Sequence, residues 1–217
     1  IVTVPDYARS LVSNALSRID RAADNEAKAV HRTRVTVKRL RALWRLVRKG
    51  VDQDMAKVAD RRLRDASRLF SDRRDADVMS GTLDKLAKTV DDDAAPVIET
   101  VRGAIGGSAP AEAEPIETEF WGEARARFTD EAADWSANAD ISTKTLRKGL
   151  TRAYRKVREF GHDALHGDDP EKLHDWRKWV KYLRYQVEAL DLISVRDAGE
   201  SLDHFAELGR KLGRHHD

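Results

Sequence analysis

At 217 residues and 24.5 kDa the chain is long enough to bury one sizeable core or two small ones. Charged residues make up 36% and aromatics 6%, and no run approaches the roughly 20 apolar residues that a membrane-crossing helix needs. Cysteine is absent, which excludes disulfides and thiolate metal sites and is compatible with a reducing compartment. In chain order, apolar spacings of three and four predict helices over 6–24, 26–49, 52–71 and 74–90, then a shorter one over 94–105. Gly106, Gly107, Ser108, Ala109 and Pro110, with Pro115 beyond, mark a linker over 106–116. Helices resume over 117–136, 142–165, 170–193 and 197–213, with Asp168, Asp169 and Pro170 as a start signal. No stretch sustains a period of two, so the predicted fold class is all-α.

The net charge of +2 hides a segregation. From Lys28 to Lys49 there is no acidic residue, and the same holds from Lys144 to Arg158. Acids gather instead at Asp91, Asp92 and Asp93 and at Glu112, Glu114, Glu117 and Glu119. Such a pattern implies a directed field rather than a generally adhesive surface.

One short pattern occurs twice, from His31 to Arg41 and again from His174 to Arg184, each reading His-x-x-Arg-x-x-Val-Lys-x-Leu-Arg. Its His, Arg, Lys and Arg are spaced three, four and three apart, which puts them on one face of a helix. The repeat extends further. Arg68 corresponds to Arg210, Arg74 and Asp75 to His216 and Asp217, and helix 6–24 to helix 142–165. This register predicts an internal duplication, with an N-terminal half over 1–105 and a C-terminal half over 117–217. The counterpart of helix 74–90 would begin where the sequence stops, so the second half is read as lacking its last helix. The chain opens on Ile1 rather than Met, as a piece of a longer product would.

The first cationic row runs His31, Arg34, Lys38, Arg41, Arg45 and Arg48; the second runs His174, Arg177, Lys181 and Arg184. Apolar rows lie beside them, with Val30, Val37, Leu40, Trp44 and Val47 in the first copy. Leu173, Trp176, Val180, Leu183, Val187 and Leu190 form the second. At about 100° per residue, the cations flank a core and line a groove between packed helices. Arginine offers a planar fork matched to phosphate oxygens, lysine a point charge, and histidine a donor that gains charge beside an anion. Successive rungs rise about 4.5–6 Å, so a linear polyanion can touch them all and one small anion cannot. Helical phase adds Arg64, Arg68, Arg152, Arg155 and Arg210 as secondary candidates. Glu188 stands in the place of Arg45 and is read as an i,i+4 partner of Arg184.

The residues His31, Arg34, Lys38, Arg39, Leu40 and Arg41, with His174, Arg177, Lys181, Tyr182, Leu183, Arg184, Tyr185 and Glu188, resemble the CHAD domain (conserved histidine α-helical domain). The segments Arg73 to Val78 and Leu208 to Asp217 are similar to its pattern too, so the resemblance covers nearly the whole chain. It implies two pseudo-symmetric antiparallel four-helix bundles whose ladder residues face a shared basic groove. It further implies non-catalytic binding of inorganic polyphosphate, in the cytoplasm and at polyphosphate granules. No cofactor, catalytic residue, metal or membrane contact is expected. Sulfate or phosphate is expected to occupy a wet groove, and an acidic filling from within the chain would contradict it.

Two other readings are weaker. A basic helix can follow a nucleic-acid backbone, but no helix-turn-helix or aromatic platform is recognisable. A phosphohydrolase would want clustered carboxylates. The nearest are Asp72, Asp75 and Asp77; Asp75 and Asp77, two apart on a helix, diverge in direction, and Arg73 and Arg74 sit beside them. His162 and His166 have zinc-compatible i,i+4 spacing but lack an evident further ligand and read as a surface pair.

Overall fold

The computed structural model describes residues 3–71, 82–90, 95–105, 118–138, 141–167, 169–193 and 199–214. The expectations for the 74–81 part of the helix over 74–90, for Asp91, Asp92 and Asp93, for the 106–116 linker with Glu112, Glu114 and Glu117, for Asp72, Arg73, Arg74, Asp75 and Asp77, for Asp168, and for His215, His216 and Asp217 lie outside these residues. All regular structure among the described residues is helical. The long helices are α1 (Val4–Asp20), α2 (Glu26–Val47), α3 (Gln53–Leu69), α4 (Ala95–Ile105), α5 (Thr118–Ala137), α6 (Thr143–Leu165), α7 (Pro170–Ile193) and α8 (Gly199–Arg214). None of the described helices is long and apolar enough to cross a membrane.

Local chemistry sets most of the starts. Thr3 and Asp6 form a reciprocal capping box with Pro5 in the first turn of α1. Asn25, Asp52 and Ser142 cap α2, α3 and α6 through side-chain oxygens that accept backbone N–H groups. The helix expected over 6–24 stops at Asp20 and passes into a 3₁₀ turn over Ala22–Asp24. Ile19, Ala22 and Ala23 continue a helical apolar spacing, and no Gly or Pro interrupts it, so the sequence conceals this break.

The larger core is closed by α1, α2, α3 and α5, with α1 against α2 and α5, and α3 against α2 and α5. The whole apolar row of α2 is buried here, including Val37, Leu40 and Trp44. Helix α5 joins this core, although it follows the 106–116 break and the sequence register places it in the second half. Its Ala124, Phe128, Glu131 and Trp135 recur on one face, and that face is buried. The Trp44 and Trp135 rings lie 4.2 Å apart between centroids. Both indole N–H groups donate to the fully buried Glu131 carboxylate, and Arg62 donates to its other oxygen at 2.8 Å. Burial pushes the Glu131 carboxyl up, against the pull of Arg62 and Trp44. Three converging donors are what allow an acid to sit among these rings.

A smaller core forms between α6, α7 and α8 around Ala153, Val157, Val180, Leu183 and Leu212. Leu150 of α6 touches both cores. Helix α6 crosses α2 so closely that a Cβ on Gly149 would lie 1.9 Å from the Leu46 carbonyl oxygen. Helices α2 and α7, which carry the two copies of the repeated motif, pack directly on each other.

Candidate functional site

The α2–α7 contact fixes the site. The buried Gln186 side-chain amide donates to the Ala42 carbonyl oxygen at 3.0 Å, setting one helix against the other. Arg39 reaches across to Glu188 at 2.5 Å and lies 5.7 Å from the centre of the Tyr185 ring. Arg45 stands 4.4 Å from the centre of the Tyr182 ring, within cation–π range. Glu188 therefore pairs across the interface with Arg39, rather than along its own helix with Arg184 as the sequence suggested. The along-helix partner is visible in sequence; a partner 149 residues away is visible only once the helices pack.

This register brings the two motifs into one cleft of about 200 Å³. Lys38 and Arg41 enter from α2, and His174, Arg177 and Lys181 from α7. Lys178, which pairs with Asp175 at 2.5 Å, Ser67 of α3, Tyr182 and Tyr185 complete the lining. Burial pushes the Tyr185 hydroxyl up, so it remains a neutral donor at physiological pH.

A neighbouring cleft of about 530 Å³ between α7 and α8 shares Arg177, Lys181 and Tyr185 with the first and adds Arg184 and Arg210. A Cβ on Gly213 would stand 3.1 Å from an Arg177 terminal nitrogen, so glycine leaves that guanidinium its room. Beside the start of α7, His174 and Arg177 also line a third cleft of about 450 Å³, together with Glu171 and Asp175. Arg177 thus belongs to all three, and the second motif forms a cationic wall shared between them.

The C-terminal end of the first row has an internal counter-ion. Asp60 of α3 accepts from Arg41 at 3.0 Å, from Arg45 at 2.8 Å and from Arg64 at 3.2 Å. Burial would raise its pKa, but Arg45 and Arg41 hold it down at about 2. Arg45 and Arg64 line a separate α2–α3 cleft with Asp60, Arg48 and Arg61. The all-cationic row expected from sequence is therefore partly neutralised at this end, because an acid on the next helix packs against it.

The remaining candidates are dispersed. His31 is exposed toward the start of α2, and Arg34 donates to the Phe70 carbonyl oxygen at 3.4 Å. Arg68 is exposed, 3.9 Å from Asp65, while Arg152 and Arg155 are exposed on α6. His162 and His166 stack with centroids 4.3 Å apart, and the His166 Nδ1 faces the His162 carbonyl oxygen at 2.8 Å. No group of three or more metal-ligating side chains gathers among the described residues.

Several participants escaped the sequence reading. Lys178 and Tyr185 share the ladder face of α7, four residues after His174 and after Lys181, so helical phase alone could have found them. Ser67 and Asp60 sit on α3, whose Ala56, Ala59, Leu63 and Ala66 mark the inward face in the sequence, but nothing there tells which helix that face meets. The family model of the CHAD domain matches residues 6–217. No curated protein and no solved structure matches the chain significantly.

Proposed function

The chain belongs to the CHAD domain family, and from that premise we propose that it binds inorganic polyphosphate, without turning it over, where α2 and α7 meet. One observation carries the reading: both copies of the repeated motif contribute cations to a single cleft, Lys38 and Arg41 from α2 and His174, Arg177 and Lys181 from α7. Arginine forks and lysine ammonium groups both suit phosphate oxygens, and charge-assisted contacts of this kind are the strong ones. The continuation of the cationic wall into the α7–α8 cleft favours a chain of phosphates over a single one. From His174 to Arg184 the helix rises about 15 Å, more than one orthophosphate can span. In the cell, such a site would bring the protein to polyphosphate granules in the cytoplasm.

The test is a titration with long-chain polyphosphate at two salt concentrations, against equal phosphate supplied as DNA and as orthophosphate. Affinity for polyphosphate is expected to exceed both and to fall steeply with salt, by analogy with counterion release from nucleic acids. Replacing Lys38, Arg177 and Lys181 together by alanine removes three charge-assisted contacts and is expected to weaken binding by about 100-fold or more. Undiminished affinity in that variant overturns the site. Equal displacement by DNA and polyphosphate replaces the reading with a general polyanion binder, and phosphate release from polyphosphate replaces it with a hydrolase.

A further inference from the structure

A second group of cations lies on a different flank of α2. Lys28 and Arg32 are one turn apart on α2 and meet Arg18 and Arg21, at the end of α1, in a cleft of about 440 Å³. At 100° per residue this row stands about 120° around α2 from the Arg34 and Lys38 row, so the two sets look in different directions. What distinguishes the cleft is how its arginines are held. Arg18 donates to the Thr36 hydroxyl at 3.3 Å, and that hydroxyl donates in turn to the Arg32 carbonyl oxygen at 3.2 Å. Arg21 donates to the Ser17 hydroxyl at 3.2 Å.

Hydroxyl groups orient a guanidinium without cancelling its charge, unlike the carboxylate that holds Arg41 and Arg45. Asp24 also lines the cleft, yet no carboxylate among the described residues forms an ion pair with Arg18, Arg21, Lys28 or Arg32. Desolvation, then the charges of Arg32 and Arg39, pulls the Arg18 pKa down, the mark of a cation among cations. Two arginines oriented by hydroxyls, with Lys28 and Arg32 beside them, around a space of this size, form a receptacle for concentrated negative charge.

We propose that the α1–α2 cleft is a second anion site for a compact, multiply charged phosphate, either a short oligophosphate or the end of a polyphosphate chain. It does not depend on the α2–α7 reading. The test uses the full chain and tripolyphosphate, followed by calorimetry and by the side-chain Nε–H resonances of arginine. The Arg18 and Arg32 resonances are expected to shift on titration. The double substitution Lys28→Glu and Arg32→Glu, at two exposed positions, is expected to lower tripolyphosphate affinity by about tenfold or more while the thermal melt stays in place. In a background of Arg177→Ala and Lys181→Ala, which disables the α2–α7 cleft, this binding should persist. Repeating the titration with long-chain polyphosphate identifies the source. A loss with both titrants marks a chain end, and a loss with tripolyphosphate alone marks a free oligophosphate. Unmoved Arg18 and Arg32 resonances at saturation overturn the proposal. So does an unchanged affinity in the charge-reversed variant, or complete loss of binding in the Arg177→Ala and Lys181→Ala background.

Discussion

Asp60 is the residue that most alters the meaning of the first cationic row. It sits between Arg41 and Arg45 with its side chain 22% exposed, and its pKa of about 2 lies below the ordinary 3.8. Because the folded-state pKa is depressed, its stabilisation is present above the unfolded value. That contribution is lost as pH falls through the folded value. A shift of this size corresponds to a contribution on the order of 2 kcal/mol. Asp60→Asn is therefore expected to lower the unfolding free energy by about that amount at pH 7. The gap to the wild type should close between about pH 4 and pH 2. Urea unfolding of both proteins at stepped pH checks this, and a gap that ignores pH would show that the Asp60 charge does not hold Arg41 and Arg45. The residue could not be read from sequence as part of the site. Its i,i+4 neighbour Arg64 was visible, whereas its approach to α2 depends on which helix the apolar face of α3 packs against.

At the scale of the element, nearly every helix was legible, because its causes are local. Three-and-four spacing produces the buried row of α2 and the partly buried row of α7, and the caps of α1, α2, α3 and α6 are short-range contacts. What could not be read was how closely two helices approach. Gly149 in α6 looks in sequence like a weak point of a helix, yet its missing Cβ is what lets α6 lie against the Leu46 backbone. Gly149→Ala sets a carbon against a backbone oxygen that cannot rotate away, so it is expected to destabilise by about 3 kcal/mol, at the upper end of ordinary overpacking. Gly122 in α5 is exposed, and a Cβ there would meet nothing within 4 Å. Gly122→Ala should therefore stabilise by about 0.4–1 kcal/mol through helix propensity and the loss of unfolded-state freedom. Thermal unfolding of the two variants separates the causes. Equal shifts in the same direction would show that the α2–α6 crossing is looser than its geometry.

At the scale of the molecule, the residues revealed two cationic ladders, and it was the family resemblance, not their spacing, that implied they share a groove. That fact rests on the α2–α7 contact made by Gln186, Glu188 and Arg39, whose pairings span the chain. It also explains why the cations need not spread apart: the two helices are held together by the hydrogen bond that the Gln186 side-chain amide donates to the Ala42 carbonyl oxygen and by the Arg39–Glu188 ion pair. The α5 helix illustrates the same limit, since its Trp135 and Glu131 find their partners in Trp44 and Arg62 across the 106–116 break. A cleft assembled from both ends of the chain has a consequence for stability. A polyanion that binds only the assembled cleft stabilises the fold by mass action, by about 2.7 kcal/mol at a hundred times its Kd. For a chain of this length that corresponds to a rise in Tm of roughly 5–10 °C. The rise should grow with polyphosphate concentration and shrink as salt is added, because screening weakens exposed charge contacts. Replacing Arg177 and Lys181 by alanine should remove most of it without lowering the Tm of the free protein by a comparable amount. A melt that polyphosphate leaves unmoved, at concentrations where binding is saturated, would mean that the anion holds the unfolded chain as well as the folded one, and that the meeting of α2 and α7 is not what it recognises.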